Sequence, residues 1–152
     1  MDAFAATRTV RFSDCDPAGI VFFPQYLVML NGVVEEWFDT ALALPYAALI
    51  GPRRLGLPTV RLEVDFTAIS RHGDGLRWEV ALAHLGRSSF TLLHDVMGAD
   101  GVRLRARQVL VCTSLDTHRA QALPDDVRAA LQAYGAGAGT AALAAAPPRR
   151  AP

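Results

Sequence analysis

The sequence predicts an α+β fold in which a five-stranded antiparallel sheet wraps around one long central helix. A mostly apolar segment after Pro24 has the 3.6-residue spacing of a helix. Four later segments alternate apolar and polar residues and are separated by turn residues, as strands of an antiparallel sheet are. A helix that is apolar on most sides must be buried, and a curved sheet can cover it. The free edges of such a sheet predict self-association as a homodimer or homotetramer.

The predicted elements begin with a short strand at residues 7–13, on which Val10 and Phe12 share one face. The long helix is predicted at residues 24–43 and ends before Pro45, because the residue preceding a proline avoids helical geometry. Four further strands are predicted at residues 59–70, 76–82, 88–97 and 102–115. Turn residues predict hairpins between these strands, and a change of apolar phase near Gln108 predicts a bulge in the last strand.

The domain boundary is set by a change of composition near the C-terminus. A short helix is predicted at residues 125–134, which completes one domain spanning residues 1–134. Residues 135–152 consist mainly of Ala, Gly and Pro, and we predict that they form a disordered tail.

The bulk composition excludes several classes of function. The 152 residues carry 15 basic and 15 acidic side chains, which gives no reason to expect binding to nucleic acid or to an anionic membrane surface. No apolar run is long enough to span a bilayer, and the N-terminus lacks a signal-peptide pattern, so a cytoplasmic location is expected. Two cysteines and four histidines without metal-ligand spacing predict neither a disulfide framework nor a metal site.

The segment DCDPAGIVFFP is the strongest candidate for a reactive site. It offers a carboxylate at Asp16, a tight turn, and the start of a helix at Pro24 that has no Ser, Thr, Asp or Asn to cap it. Uncapped N–H groups at a helix start can stabilise the oxyanion that forms when a carbonyl is attacked. Asp14 is interpreted as a structural carboxylate of the turn. Asn31 falls inside the predicted apolar stripe of the helix and needs a partner, which is either the protein or a ligand.

The run RFSDCDPAGIVFFPQYLVMLN closely resembles the opening of the bacterial 4-hydroxybenzoyl-CoA thioesterases, which have the hotdog fold. Weaker similarity continues to about Leu115 and so covers roughly the first three-quarters of the chain. The resemblance implies hydrolysis of an acyl-CoA thioester, with an aromatic 4-hydroxybenzoyl-like group or a small acyl group. It also implies that no cofactor is needed and that the site lies between two subunits.

The resemblance assigns roles to individual residues. In that family the second aspartate of the DCD motif is the catalytic carboxylate, which is Asp16 here, and the backbone N–H at Phe23 polarises the thioester carbonyl. The implied substrate-binding positions are Gly19, Asn31, Thr59, Arg87 and Ser89. The member that defines the 4-hydroxybenzoyl activity has an aspartate at the position of Asn31. An asparagine can still bind a hydroxyl group but carries no charge, so a weaker preference for a para-hydroxyl group than that member shows is expected.

Other residues give weaker hypotheses. Cys15 lacks a nearby histidine that would activate it and is interpreted as a packed residue, while Glu35 is a reserve candidate for the base. His94 is expected to make a structural hydrogen bond. Arg103, Arg105 and Arg107 share one predicted strand face, which is either solvated or helps to bind the CoA phosphates.

Two alternative functions remain open at this stage. One is a hotdog-fold dehydratase of 3-hydroxyacyl thioesters, which would need a histidine beside a helix acid, whereas no histidine precedes His72. The other is a non-catalytic acyl-CoA-binding protein, which would have no need of the complete DCDPAGIVFFP turn.

Overall fold

The structure is a computed structural model that describes residues 4–137, so most of the predicted tail lies outside the described residues. The helices are α1 (Phe23–Thr40), α2 (Tyr46–Ile50) and α3 (Asp125–Gly135), together with a 3-10 helix, Phe12–Asp14. The strands are β1 (Ala5–Thr9), β2 (Leu55–Gly56), β3 (Thr59–Phe66), β4 (Gly75–Leu85), β5 (Ser89–Gly98), β6 (Gly101–Val111) and β7 (Thr113–Ser114). Within this described range, none of the helices has the length and apolarity that crossing a bilayer requires.

The main sheet has five antiparallel strands in the order β1-β4-β5-β6-β3, and β2 pairs with β7 in a separate small sheet. The predicted hairpins between β4 and β5 and between β5 and β6 are confirmed. The predicted hairpin between β3 and β4 is wrong, because β3 pairs with β6 at one edge while β4 lies beside β1 near the other. A turn sequence shows that the chain reverses locally but does not determine which strands pair. Residues 67–74, the β3–β4 connection, run from one side of the sheet to the other.

The core forms where α1 packs on the inner face of the sheet. The buried residues of α1 are Tyr26, Leu30, Val33, Val34, Trp37 and Phe38. The ring centroids of Trp37 and Phe38 lie 6.4 and 6.2 Å from that of Phe90 on β5. The prediction that Asn31 lies inside the apolar stripe is wrong, since Asn31 is exposed. Apolar spacing alone does not show which side of α1 is buried, because the helix also carries apolar residues on its outer side. Val28, for example, is 65% exposed.

The first strand is shorter than predicted. β1 ends at Thr9, and the chain turns into the 3-10 helix, so Phe12 does not share a strand face with Val10. Val10 is fully buried, whereas Phe12 is 81% exposed. The side chain of Asp14 accepts a hydrogen bond from the Arg11 N–H at 2.7 Å, which closes this 3-10 turn and ends the strand.

The bulge predicted near Gln108 is also wrong. Gln108 pairs in regular register with Leu92, and the extra residue of β6 is Arg103, which falls between pairs formed by Val102 and Leu104. The bulge turns Arg103 away from the exposed face that carries Arg105 and Arg107, so Arg103 is buried and paired with Asp100. A second register irregularity, at Val60, leaves that side chain exposed on the outer edge strand.

A buried polar chain explains why Gln108 interrupts the apolar pattern of β6. The His94 Nε2 lies 2.9 Å from the Gln108 Oε1, and the Gln108 amide donates to the Thr59 hydroxyl at 2.8 Å. The Gln108 oxygen can only accept, so His94 Nε2 carries the proton. Burial lowers the pKa of His94 to about 4, which keeps the ring neutral. The expected structural hydrogen bond of His94 is thus confirmed.

We predict that His94→Gln reduces the pH dependence of stability, because glutamine keeps an N–H donor for Gln108 and does not titrate. The pKa of His94 is about 4 in the fold against 6.5 as its ordinary value, so in this interval the unfolded chain binds more protons and stability rises with pH. Between pH 6.5 and 5 the wild type should lose about 1.5 kcal/mol relative to the variant, because the slope approaches about 1.4 kcal/mol per pH unit only below about pH 6, where the unfolded histidine is mostly protonated. Urea denaturation at pH 7, 6 and 5 measures this difference.

The matched control is His84→Gln, because His84 is exposed. This variant should follow the wild-type pH dependence. Equal pH dependence in wild type and His94→Gln would mean that the buried ring is not a source of acid sensitivity.

Candidate active site

A short backbone hairpin, residues 14–22, positions the carboxylate of Asp16, and we call it the Asp16 hairpin. The Phe22 N–H donates to the Asp14 carbonyl at 2.9 Å, and the Asp16 N–H donates to the Ile20 carbonyl at 3.0 Å. An isolated bridge between Cys15 and Val21 lies between these two bonds. The hairpin therefore holds Asp16 at its tip through backbone hydrogen bonds, whatever its side chains are.

The tip of the hairpin leaves one oxygen of Asp16 free. The Gly19 N–H donates to the Asp16 carbonyl at 2.9 Å, and the Ala18 N–H donates to the Asp16 Oδ1 at 2.8 Å. Gly19 has a φ of +76°, a left-handed conformation that other residues adopt at a cost. Among residues 4–137, no group bonds the second carboxylate oxygen of Asp16, so this oxygen is available to a substrate or a water molecule.

The start of α1 leaves a backbone donor free next to this hairpin. Phe22 is the N-cap residue and makes no side-chain cap, and Pro24 occupies the first turn. The Phe23 N–H has no acceptor within residues 4–137, and it points out of the positive end of an 18-residue helix. The predicted pair of groups, a free carboxylate at Asp16 and a free N–H at Phe23, is thus carried by one continuous segment.

An open pocket of about 460 Å³ contains the Asp16 side chain. This volume lies in the range of sites for small molecules. The pocket is lined by Phe12, Cys15, Asp16, Pro17, Gly19 and His72. The rings of Phe12 and His72 meet edge to face, with centroids 6.2 Å apart. Sequence reasoning missed both residues, because Phe12 was assigned to a strand and His72 reaches the pocket only through the β3–β4 connection.

Aromatic side chains cluster at the start of α1. The ring of Phe23 lies 5.6 Å from Phe22 and 6.1 Å from Phe66, and Tyr26 lies 5.9 Å from Phe66. Phe22, Phe23 and Phe66 are 48–57% exposed. The exposed rings of this cluster, Phe22, Phe23 and Phe66, offer an apolar surface that suits a planar aromatic group, while the buried ring of Tyr26 packs beneath them.

The two candidate residues on α1, Asn31 and Glu35, lie further along the helix than Phe23. The exposed Asn31 donates from Nδ2 to the Glu35 Oε1 at 3.2 Å. Glu36, the residue after Glu35, pairs with Arg8 at 2.7 Å. Asn31 lies two turns beyond Phe23, which is about 12 Å along a helix.

The remaining predicted substrate-binding positions lie at the other end of the sheet. Thr59 begins β3, seven residues and about 23 Å of strand before Phe66. Arg87 and Ser89 lie at the β4–β5 hairpin, which is level with Thr59 in the strand register. A single chain therefore does not bring Thr59, Arg87 or Ser89 to the pocket that contains Asp16.

Metal-binding groups do not assemble in the part of the chain that the structure describes. No set of three or more His, Cys, Asp and Glu side chains there could hold a metal ion.

Comparison with known proteins identifies the family. A sequence profile of the thioesterase-like superfamily matches residues 10–131. A 1,4-dihydroxy-2-naphthoyl-CoA hydrolase from Synechocystis sp. is 28% identical over 134 residues, which cover 86% of this chain and 96% of that protein. A 4-hydroxybenzoyl-CoA thioesterase from Pseudomonas sp. is 30% identical over 122 residues, which cover 76% of this chain and 86% of that protein.

A solved structure agrees with these sequence matches. The crystal structure of a 1,4-dihydroxy-2-naphthoyl-CoA thioesterase from Synechocystis matches this fold with a TM-score of 0.78 at 26% identity. The match covers 86% of this chain and 96% of that protein. The predicted hotdog fold and the predicted thioesterase class are confirmed, and the chain belongs to the thioesterase-like superfamily.

Proposed function

We propose that this protein hydrolyses the thioester bond of an aromatic acyl-CoA, with Asp16 as the catalytic carboxylate and the Phe23 N–H as the donor to the thioester carbonyl. The observation that carries this proposal is the pair of free groups on one segment: an unbonded oxygen of Asp16 in an open pocket, and an unbonded N–H at the start of α1. Similarity to two named CoA thioesterases and hydrolases supports the choice of CoA thioesters.

The proposed reaction needs only these groups and water. The thioester carbonyl oxygen accepts from the Phe23 N–H, and the dipole of α1 stabilises the negative charge that develops on this oxygen. The free oxygen of Asp16 either attacks the carbonyl carbon, giving a mixed anhydride that water cleaves, or removes a proton from the attacking water. Both routes expel CoA as a thiolate, which takes up a proton, and release the free acid.

The aromatic cluster at the start of α1 favours an aromatic acyl group over a small one. Its exposed rings would contact a planar acyl group that lies along the helix from Phe23 toward Asn31. The two relatives whose names give their substrates act on 1,4-dihydroxy-2-naphthoyl-CoA and 4-hydroxybenzoyl-CoA, which are both aromatic. Asn31 would then meet a polar substituent on the far side of the ring.

We propose that a second copy of the chain completes the site. In the described part of the chain, the outer edge of β3 has no strand partner. Symmetric antiparallel pairing of two such edges would set Thr59 of one copy beside the α1 start of the other. Thr59, Arg87 and Ser89, which lie far from Asp16 within one chain, would reach the substrate in this way.

The dehydratase alternative has less support than hydrolysis. The sequence argues against it because no histidine precedes His72, yet the fold brings His72 to the pocket of Asp16. The argument against it therefore rests on the family, which is that of thioesterases. Release of free thiol from an aromatic acyl-CoA separates hydrolysis from both dehydration and simple binding.

Asp16→Asn should lower kcat at least about a hundredfold, the usual effect of removing a general base or nucleophile. The fold should persist, since asparagine keeps the oxygen that accepts from the Ala18 N–H. Thiol release from 4-hydroxybenzoyl-CoA or 1,4-dihydroxy-2-naphthoyl-CoA measures kcat, and circular dichroism checks the fold. Asp14→Asn removes a charge from the same hairpin and should retain near wild-type kcat. A folded Asp16→Asn variant with wild-type kcat would refute the assignment.

Asn31→Asp should raise the ratio of kcat/KM for 4-hydroxybenzoyl-CoA over benzoyl-CoA about tenfold. A hydrogen bond from a ring hydroxyl to a charged carboxylate contributes roughly 1.5–3 kcal/mol, against roughly 0.5–1.5 kcal/mol for one to a neutral amide, and a difference of about 1.4 kcal/mol is tenfold. Glu35→Gln removes the neighbouring charge without touching the proposed contact, so the ratio should change little. An unchanged ratio in Asn31→Asp would show that Asn31 does not contact the acyl group.

Val60→Lys should dissociate the proposed dimer and lower kcat/KM. Val60 is 60% exposed on the unpaired edge strand, so the chain itself should tolerate lysine there. Sedimentation velocity measures the assembly. Thr7→Lys places the same charge on β1, the opposite edge, and should leave assembly and activity intact. A fully active monomer, of either the wild type or the variant, would contradict the shared site.

A further inference from the structure

The β3–β4 connection is hydrogen-bonded to the chain on both sides of Asp16. Upstream of Asp16, the Val10 N–H donates to the Asp74 carbonyl at 2.8 Å, and the Gly73 N–H donates to the Val10 carbonyl at 2.9 Å. Downstream, the Val21 N–H donates to the Ser70 carbonyl at 2.9 Å, next to a bridge between residues 20 and 71. The position of the Asp16 hairpin therefore depends on this connection, although the two are about fifty residues apart in sequence.

One side chain of α1 reaches the same connection. The Tyr26 hydroxyl donates to the Ser70 Oγ at 2.7 Å, and Tyr26 and Ser70 are 4% and 0% exposed. Burial raises the pKa of Tyr26, so its hydroxyl stays protonated and remains a donor at neutral pH. Within residues 4–137, this is the only side-chain hydrogen bond between α1 and the β3–β4 connection.

We propose that Tyr26 and Ser70 are positioning residues that fix the Asp16 carboxylate relative to the Phe23 N–H. Tyr26 lies in the first turn of α1, three residues after Phe23, while Ser70 holds the Asp16 hairpin through the Val21 N–H. Their hydrogen bond links the connection that holds the Asp16 hairpin to the start of α1, which carries the Phe23 N–H. This inference rests on the proposed function and adds two residues that do not touch the reacting atoms.

The positions of Tyr26 and Ser70 predict that loss of their hydrogen bond lowers kcat more than it weakens substrate binding. Tyr26→Phe keeps the ring, which packs 5.9 Å from Phe66, and removes only the hydroxyl. Ser70 then loses its partner, and the hairpin can shift relative to the start of α1. Displacing a catalytic group by about 1 Å can cost on the order of a hundredfold in rate, whereas contacts with distant parts of the substrate are unaffected. We therefore expect kcat to fall about ten- to a hundredfold in Tyr26→Phe, with KM within about twofold of wild type.

Tyr134 provides a matched control for a purely structural hydroxyl. It is also buried, and its hydroxyl donates to the Val80 carbonyl and accepts from the Phe4 N–H at 3.2 Å. Its ring packs on Trp37, on the core side of α1. Tyr134→Phe should lower the thermal midpoint at least as much as Tyr26→Phe and leave kcat unchanged.

The experiment compares Tyr26→Phe, Ser70→Ala, the double variant and Tyr134→Phe in steady-state hydrolysis of the best aromatic acyl-CoA. If the two residues act through one hydrogen bond, the double variant should lose no more kcat than either single variant. An unchanged kcat in Tyr26→Phe, or an equal loss in Tyr134→Phe, would overturn the inference, provided that Asp16→Asn is inactive.

A second readout does not depend on activity. Hydrogen exchange of the Val21 and Phe22 amides should accelerate in Tyr26→Phe and stay at the wild-type rate in Tyr134→Phe. If the wild type hydrolyses no thioester or Asp16→Asn retains full activity, the proposed function fails, and this exchange measurement then decides the positioning role by itself. Unchanged exchange would overturn that role.

Discussion

The burial of one face of α1 against the sheet is the constraint on which the site depends. Trp37 and Phe38 are fully buried and pack on Phe90, so they fix how the helix is rolled about its axis. Each fully buried aromatic side chain contributes roughly 1.5–3 kcal/mol from apolar burial. With this rotation fixed, the side that carries Asn31 faces outward. At the start of the helix, Phe23 and Tyr26 lie beside Phe66 at the end of β3. The core thus sets how α1 lies against the sheet, while contacts at the helix start hold the segment that carries the Phe23 N–H.

The start of α1 is less stable than a helix start that has a side-chain cap. A capping Ser, Thr, Asp or Asn typically contributes about 1 kcal/mol, but here Phe22 occupies that position and caps nothing. A capping side chain would compete with a substrate carbonyl for the first N–H groups. The Asp16 hairpin and the β3–β4 connection hold the helix start in place through backbone hydrogen bonds and the Tyr26 hydroxyl instead. The structure therefore stabilises this end of the helix at positions that leave the Phe23 N–H accessible.

Local patterns in the sequence predict the fold well and its long-range pairings poorly. The long helix, the β4–β5 and β5–β6 hairpins and the short α3 helix follow from apolar periodicity and turn residues, which act over a few residues. The pairing of β3 with β6 does not follow from such local patterns. The turn residues after β3 would be the same whichever strand paired with β3. Asp16 and Phe23 could be proposed together from the sequence because they lie in one continuous motif. His72 and Ser70 could not, since only the path of the β3–β4 connection brings them to the hairpin.

The distribution of charged and apolar side chains on the surface connects the proposed dimer with the proposed active site. Ion pairs such as Arg61–Glu63 at 2.7 Å and Arg105–Asp95 at 3.2 Å lie on β3, β5 and β6 and keep those surfaces hydrated. The large exposed apolar side chains of the described chain are Phe12, Phe22, Phe23, Val28, Val60, Phe66 and Ile69. Most of them surround the Asp16 hairpin, the start of α1 and the end of β3, so the surface that most needs covering is also the surface beside the reactive groups. A second copy that covers it would exclude water from the same region, and lower polarity there would strengthen the attraction between the Phe23 N–H and a developing oxyanion. On this argument, assembly and catalysis depend on the same apolar surface, and a substitution that weakens one should weaken the other.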